Sequence, residues 1–333
     1  MISVGLVLGA GGLAGFAYHT AALAVLQRLT GWDPRTAQVI VGTSAGSGIG
    51  AILRGGVPVH ENLDRMLSVS TNPRSMARLR ELSGRETSST GIPFFRLAPA
   101  SLGLVCREAM RGPWVRPVRL ATGLLPTGYI RTDTIGDRAA ELHHGIWPEQ
   151  QLWINAVRLS DGELVVFGRD RTDVSVATAT EASSAIPAYF KPVLIDGERY
   201  VDGGVHSASN ADLLVDQNLD VVVIVSPMSG RSVSSMARSV NGVMRIAVKN
   251  RLKREVARLE ETSTEVLLIE PSLEEMRAMG PTLMDPTKVV NTVLQTSSAA
   301  RTALTEEQVG DKLDLLRKAA DAHPSPPDTP LPH

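Results

Sequence analysis

Residues 39–46, which read VIVGTSAG, constrain the fold of this chain more than any other stretch. The β-branched start is typical of a buried strand, and the end fits the pattern Gly-x-Ser-x-Gly with Ser44 at its centre. A serine on a tight strand-to-helix turn projects its hydroxyl above the sheet edge, where the crowded glycines leave no room for a Cβ atom. The motif predicts a nucleophilic serine, and an ordinary Gly/Ser loop is the alternative. The residues around Ser44 in the motif are Gly42, Thr43, Ala45 and Gly46.

The size and charge of the chain exclude several classes of protein. Its 333 residues can bury a large core, and a net charge of −1 gives no sign of a nucleic-acid partner. The single cysteine, Cys106, excludes an internal disulfide and a zinc site built from several thiolates. We therefore expect a cytoplasmic protein with no nucleic-acid partner, no metal and no cofactor. The oligomeric state stays open.

The first 26 residues contain no Asp, Glu, Lys or Arg, which raises the question of a membrane span or a signal peptide. A signal peptide needs a basic start, which is missing here. A span needs a continuous apolar helix, and five glycines between positions 5 and 15 interrupt this one. We expect a buried strand over residues 2–8, a glycine loop over 9–15 and a buried helix over 16–29 in a soluble protein.

The glycine loop predicts a site for negative charge. A strand, a glycine-rich loop and a helix in succession form a nest of backbone amides that points at an anion. In a parallel sheet such loops gather at the carboxyl ends of the strands, so this loop and Ser44 are expected to lie together. The peptide N–H groups near Gly11, Gly12 and Leu13 are thus candidate donors to an oxyanion.

The rest of the chain alternates strand-like and helix-like segments. A continuous β-branched run over Val221–Val225 is typical of a buried parallel strand. We predict further strands over residues 152–159, 164–167 and 266–269, a strand that ends in a tight turn at 200–204, and helices over 132–142, 181–188, 231–258 and 289–316. We interpret residues 1–320 as one domain, followed by a disordered, proline-rich tail over 321–333.

Two segments are unusually basic. One is an apolar, arginine-rich cap or insertion at about 85–130, and the other is a basic amphipathic helix at about 231–260. Contact with anionic interfaces, and thus peripheral membrane contact, is one explanation of both segments. The interpretation that we favour is that the apolar residues belong to the core and the charges are solvated, which makes the second segment a plain surface helix.

A serine nucleophile also needs a base. No histidine after Ser44 lies in a convincing catalytic context. Asp202 does, because it closes a predicted strand and precedes Gly203 and Gly204, which permit close approach. A carboxylate within hydrogen-bond reach of Ser44 serves as a base by itself.

At this point a resemblance becomes visible. The chain resembles the patatin-like phospholipases, a family of lipid acyl hydrolases with a Ser–Asp dyad. Four blocks match in order, with residues 155–167 (NAVRLSDGELVVF) as a weaker fifth. The four are GLVLGAGGLAG (5–15), GTSAG (42–46), EASSAIPAYFKPV (181–193) and YVDGGVHSASNADLL (200–214).

The resemblance implies an α/β protein with a three-layer α/β/α sandwich around a mostly parallel sheet. It implies Ser44 as the nucleophile, Asp202 as the base and the amides near Gly11 and Gly12 as the oxyanion hole. It also implies acyl esters of lipids as substrates. Headgroup, acyl length and bond position stay open.

The chain departs from the family pattern at two places. Ala14 stands where the family usually has Arg or Lys, and Asn210-Ala211 stands where it tends to have a proline. The first departure motivates an alternative, a lipid-binding scaffold of this fold with little or no turnover. Another alternative is a dinucleotide-binding oxidoreductase that uses the glycine loop, although its second strand lacks the acidic end that would hold a ribose.

Overall fold

The computed structural model of the chain describes residues 2–71, 100–109, 117–128, 130–232, 240–305, 309–323 and 325–326. The strands are β1 (Val4–Leu8), β2 (Val39–Thr43), β3 (Gln151–Arg158), β4 (Leu164–Phe167), β5 (Val193–Ile195), β6 (Glu198–Asp202), β7 (Val221–Val225) and β8 (Glu265–Ile269). The helices are α1 (Gly12–Thr30), α2 (Ala45–Arg54), α3 (Val59–Thr71), α4 (Leu102–Ala109), α5 (Pro117–Leu124), α6 (Asp133–His143), α7 (Val176–Ser183), α8 (Val240–Glu260), α9 (Leu273–Met279), α10 (Val289–Leu304) and α11 (Gly310–Ala322).

The described strands form one mixed sheet in the order β5-β6-β3-β2-β1-β7-β8, with β4 also paired to β3. The central run β3-β2-β1-β7-β8 is parallel. Strands β4, β5 and β6 add antiparallel pairs at one end. The predicted α/β class with a mostly parallel sheet is therefore confirmed.

Each buried strand presents alternate side chains to two apolar layers, as a strand covered on both faces must. On one face, Leu6 and Ile40 pack with α1 and α2 residues such as Leu23 and Ile49. On the other face, strand residues pack with Leu252 and Leu259 of α8. The strand residues of this second layer include Val7, Val41, Val222 and Ile224. The sheet thus has helices packed on both faces, which gives the predicted three layers of helix, sheet and helix.

Several helices differ in extent from the sequence prediction. Helix α1 begins at Gly12, inside the predicted glycine loop, so the last part of the loop is the first turn of a helix. Helix α7 ends at Ser183, whereas a helix over residues 181–188 was predicted. It begins earlier because the Ser175 side chain accepts a hydrogen bond from the N–H of Thr178 at its start. The predicted helix over 289–316 is two helices, α10 and α11.

The basic helix also differs from its predicted range. Residues 231–232 form a turn, and within the described chain the helix α8 begins at Val240. About half of the predicted cap lies outside the described residues, and the described part of it includes the helices α4 and α5. The first residues of the predicted tail, Asp321 and Ala322, still belong to α11, and Pro326 accepts a hydrogen bond from Arg35 through its carbonyl oxygen.

Candidate active site

Ser44 lies at the turn between β2 and α2. Its backbone angles, φ 55° and ψ −121°, are unusual for a residue with a side chain. The residue is buried, with 4% of its surface exposed. The turn is closed by contacts that only glycine permits. A Cβ atom on Gly46 would lie 1.9 Å from the carbonyl oxygen of Leu8, and one on Gly42 would lie 2.6 Å from the Cα atom of Ser47. The two glycines of the motif thus fix the tight turn that the sequence predicted.

The end of strand β6 brings Asp202 to this turn. Strand β4 pairs with Ile154–Val157 of β3, so it occupies one edge of β3 at the place where the pairing with β2 ends and the pairing with β6 begins. Strands β2 and β6 must therefore share the other edge and meet there head to head. Thr43 is opposite Asn155, and Asp202 is opposite the next residue, Ala156. Ser44 and Asp202, distant in the chain, are consequently neighbours.

Burial controls the chemistry of Asp202, of which only 5% is exposed. Burial raises its pKa to about 6, while the Ser44 hydroxyl and the N–H of Gly204 act in the opposite direction. The Gly204 N–H donates to the carboxylate at 2.7 Å. The Ser44 hydroxyl is a hydrogen-bond partner of the same carboxylate, as a nucleophile and its base require. A carboxylate of this pKa is ionised at neutral pH and more basic than an exposed aspartate.

The glycine loop lies beside these two side chains. In the parallel β1–β2 pair, Leu8 is opposite Gly42, so the residues after Leu8 run level with those that lead into Ser44. A Cβ atom on Gly204 would lie 3.6 Å from the Cβ of Ala10, which places the loop against the turn after Asp202. The structure thus brings the predicted loop, nucleophile and base to one edge of the sheet.

The loop offers peptide donors to a ligand. The N–H groups of Gly9 and Ala10 donate to the carbonyl oxygens of Val225 and Ala208. Those of Gly11, Gly12 and Leu13 have no acceptor among the residues that the structure describes. Because α1 begins at Gly12, its positive dipole end adds to these donors. An anion beside Ser44 would find them available.

Three polar side chains around Ser44 were not selected from the sequence. Ser183 accepts a hydrogen bond from the Ser44 N–H at 2.9 Å. Asn155 donates to the carbonyl oxygen of Gly42 and to the Thr43 hydroxyl, and Asn210 donates to the same hydroxyl at 3.0 Å. The available signal was that Ser183, Asn155 and Asn210 are polar residues within the blocks quoted above.

Asn210 gives a physical reason for one departure from the family pattern. Its backbone is left-handed, with φ 54°, a conformation that asparagine tolerates and proline cannot adopt. The next residue, Ala211, donates its N–H to Glu255 Oε2 at 3.1 Å, and a proline at this position would have no N–H to donate.

The histidines do not complete a triad within the described residues, where none of their ring nitrogens is hydrogen-bonded to Ser44 or Asp202. His19 is fully buried, and its Nε2 is bonded to the carbonyl oxygen of Gly9; burial lowers its pKa to about 4. His143 is bonded to the carbonyl oxygen of Ala51, and His206 to the side chain of Asn210. These contacts are structural.

The described part of the chain contains no group of three or more His, Cys, Asp or Glu placed to hold a metal ion. None of its helices is long and apolar enough to cross a membrane.

Comparison with known proteins gives a family match. Residues 6–215 match the family model described as Patatin-like phospholipase, which is more than half of the chain and includes Ser44 and Asp202.

Solved structures with a similar fold include VipD from Legionella pneumophila, with 14% identity and a TM-score of 0.37 over 96% of this chain and 74% of that one. Human GIVD cytosolic phospholipase A2, in complex with methyl gamma-linolenyl fluorophosphonate, has 13% identity and a TM-score of 0.39 over 96% and 59%. ExoU of the Pseudomonas aeruginosa type III secretion system, in its complex with SpcU, has 19% identity and a TM-score of 0.30 over 94% and 60%. This chain thus spans about three fifths of the length of the last two.

Proposed function

Because the chain belongs to the patatin-like phospholipase family, we propose that it is a serine lipid acyl hydrolase in which Ser44 is the nucleophile and Asp202 is its general base. The single observation that carries the assignment of residues is the head-to-head meeting of β2 and β6 on one edge of β3. It sets a serine on a strained turn against a buried carboxylate. Family membership also leaves the dinucleotide-binding alternative without support.

In the proposed reaction the Ser44 oxygen attacks the acyl carbonyl carbon while Asp202 accepts the hydroxyl proton. The carbonyl oxygen becomes an oxyanion that accepts hydrogen bonds from the N–H groups near Gly11, Gly12 and Leu13. Protonated Asp202 then returns the proton to the leaving alcohol oxygen as the ester bond breaks, which leaves an acyl-Ser44 ester. Water attacks this ester, Asp202 accepts its proton, and the Ser44 oxygen takes a proton back as the fatty acid leaves.

The subtype proposed is a phospholipase A, lysophospholipase or carboxylesterase. Hydrolysis of p-nitrophenyl esters of increasing chain length tests this activity directly. We expect turnover by the wild type and a loss of more than about 1000-fold in Ser44→Ala and Asp202→Asn. Full activity in Asp202→Asn would reject the base, and full activity in Ser44→Ala would reject the nucleophile.

A second candidate is a lipid-binding or regulatory protein of the same fold with weak or no turnover. The observation that favours it is Ala14, which is fully buried and donates its N–H to the carbonyl oxygen of Leu283 at 2.8 Å. Its side chain supplies no cation, and its N–H is already occupied. Binding of lipid vesicles without labelling of Ser44 by a fluorophosphonate would favour this function over hydrolysis.

We also propose peripheral contact with a membrane. Exposed apolar side chains lie near the active-site edge of the sheet. Val243 and Met244 are close to the start of α8, Leu124 ends α5, and Leu125 directly follows it. Apolar residues at such a rim would insert among lipid headgroups. A vesicle sedimentation assay tests the contact.

A further inference from the structure

The strongest unexplained group near the candidate site is a buried acid on the basic helix α8. Glu255 is 1% exposed, although neighbouring positions on this helix carry exposed basic residues. A buried carboxylate is costly unless several donors surround it. The donors around Glu255 come mainly from one short segment, residues 207–211, which follows Asp202 in the chain.

Four hydrogen bonds satisfy this carboxylate. Oε1 accepts from the Ser207 hydroxyl at 2.6 Å and from Arg251 Nε at 2.8 Å. Oε2 accepts from the Ser209 hydroxyl at 2.5 Å and from the Ala211 N–H at 3.1 Å. Three of the four donors belong to the segment, so Glu255 fixes its position against α8.

The segment is in turn bonded to each part of the candidate site. The carbonyl oxygen of Ala208 accepts the N–H of Ala10 in the glycine loop at 2.7 Å. Asn210 donates to the Thr43 hydroxyl at 3.0 Å, one residue before Ser44. At its start, the segment continues the turn of Asp202, because the Ser207 N–H donates to the carbonyl oxygen of Gly203.

Ser207 makes the dependence on Glu255 specific. Its hydroxyl oxygen accepts the N–H groups of Ser209 and Asn210, at 3.3 and 3.2 Å, so its own proton is directed to Glu255. The side chain of Asn210 also donates to the Ser207 carbonyl oxygen at 2.7 Å. Loss of the Glu255 acceptor would therefore free the turn at residues 207–210, which holds the Asn210 side chain in its hydrogen bond with Thr43.

We propose that Glu255 is a positioning residue for hydrolysis, which holds residues 207–211 so that the glycine loop, Ser44 and Asp202 keep their relative places. The inference rests on the proposed function, since it concerns the reaction at that site. Glu255 itself touches no reacting atom.

The test compares Glu255→Gln with two matched variants of the same helix. Glutamine keeps the shape, but its amide N–H₂ must face either the Ala211 N–H or Arg251 Nε, so one donor loses its acceptor. Glu260→Gln makes the same change at an exposed position. Val256→Ala weakens packing next to Glu255 without removing one of its hydrogen bonds.

Steady-state kinetics with p-nitrophenyl butyrate across pH 4.5–9 provide the first readout. We expect Glu255→Gln to lower kcat by about 10- to 100-fold with KM changed by less than about twofold, because the reacting groups are misplaced while the acyl-binding surface is intact. The acid limb of its pH profile should also move to higher pH. The contacts with Ser44 and Gly204 lower the pKa of Asp202, and these contacts become weaker in the variant. Glu260→Gln and Val256→Ala should have the same kcat as the wild type and the same acid limb in the pH profile.

Amide hydrogen exchange on the same proteins provides a readout that does not need activity. The N–H groups of Ala10 and Ala211 should exchange faster in Glu255→Gln alone. Wild-type kcat in Glu255→Gln would overturn the inference, as would a loss of the same size in Val256→Ala or unchanged exchange at both amides. If the wild type hydrolyses no ester, the proposed function fails, and the exchange result alone decides whether Glu255 holds the segment.

Discussion

At the scale of single residues, the buried Asp202 carboxylate determines how the candidate site responds to pH. The contributions to its pKa are burial, which dominates and raises it to about 6, and the contacts with the Ser44 hydroxyl and the Gly204 N–H, which lower it. No charged side chain of the described residues contributes to this shift. The ionisation of Asp202 can therefore be measured without the influence of a neighbouring charge.

The first prediction concerns the pH dependence of hydrolysis. A general base must be ionised, so kcat/KM should fall about tenfold per pH unit below a pKa of about 6 and be level above it. The measurement is kcat/KM for a soluble ester from pH 4 to 8. An acid limb near pH 4, the range of an exposed aspartate, would contradict the buried base.

The second prediction concerns stability. Because the pKa of Asp202 is raised from 3.8 to about 6, the folded state binds a proton more tightly than the unfolded state between these values. The free energy of unfolding should thus decrease as pH rises from about 4 to 6, by up to about 3 kcal/mol. Asp202→Asn should remove this decrease and be the more stable protein at pH 7.

Urea denaturation of the wild type and Asp202→Asn at pH 4 and pH 7 measures this effect. Asparagine can still accept a hydrogen bond from the Gly204 N–H through its Oδ1 atom. The Asp202→Asn variant should therefore lose activity but have a larger free energy of unfolding. Equal stability at pH 7 would mean that burial imposes no cost on the ionised group.

At the scale of secondary-structure elements, the turn between β2 and α2 depends on the close approach of α2 to β1. The contact between Gly46 and the Leu8 carbonyl oxygen leaves no space for a methyl group. Gly48, one half-turn further along α2, has only the edge of the Phe16 ring nearby, 3.4 Å from an added Cβ atom. The two glycines of one helix therefore have different roles.

The third prediction uses this difference. Gly46→Ala should lower the free energy of unfolding by at least about 3 kcal/mol and abolish hydrolysis, because the backbone of β1 must move. Gly48→Ala should be neutral or up to about 1 kcal/mol more stable, since alanine favours a helix interior. Chemical denaturation with an activity assay on the same samples compares them, and equal effects would refute the close approach.

The elements also show how far the sequence predicts this fold. The strand Val221–Val225 and the turn at Ser44 follow from local pattern, because β-branched runs and spaced glycines have few alternative structures. The meeting of β2 and β6 on β3 does not follow, because it is a register between strands far apart in the chain. The motif indicated Asp202, but only the register explains why its side chain faces Ser44.

Helix α8 illustrates the opposite case, where pattern alone misleads. Its sequence predicts a basic surface, yet Arg245 is 4% exposed and donates to the carbonyl oxygens of Pro227 and Ser229. Burial lowers the pKa of Arg245 to about 10. Glu255, the acid among these cations, is buried as well. Both positions depend on partners from distant segments, which helical periodicity cannot reveal.

At the scale of the whole molecule, the exposed apolar residues of α8 lie near its beginning, and its exposed cations lie further along the helix. Several of its cations are bound by protein groups, since Arg251 pairs with Glu255, Arg258 pairs with Asp212, and Lys249 donates to the Gly230 carbonyl oxygen.

The exposed apolar residues Val243 and Met244 lie near the start of this helix. Arg245 ties this end to the segment after β7, and the ring of Pro227 in that segment packs on Gly11.

The fourth prediction follows from this arrangement. The double variant Val243→Glu, Met244→Glu should weaken sedimentation with phosphatidylglycerol vesicles and slow hydrolysis of vesicle lipid, because charged side chains resist insertion. Hydrolysis of a soluble short-chain ester should be unchanged. The control is Ile146→Glu, since Ile146 is 73% exposed and precedes β3 at the opposite edge of the sheet.

In this control, vesicle binding and both activities should equal those of the wild type. Equal vesicle binding by the double variant and the wild type would reject the proposed contact surface. A preference of the wild type for phosphatidylglycerol over phosphatidylcholine would support the basic segments as a further contribution, and no preference would exclude it.

The central claim is that Ser44, activated by Asp202, forms a covalent acyl intermediate. Peptide mass mapping after treatment with a fluorophosphonate tests it most directly, because the reagent phosphonylates an activated serine and stays attached. We predict one adduct, on the peptide that contains Ser44, with none in Ser44→Ala and labelling slowed by more than about 100-fold in Asp202→Asn. An adduct on another residue, or equal labelling of wild type and Asp202→Asn, would contradict the account.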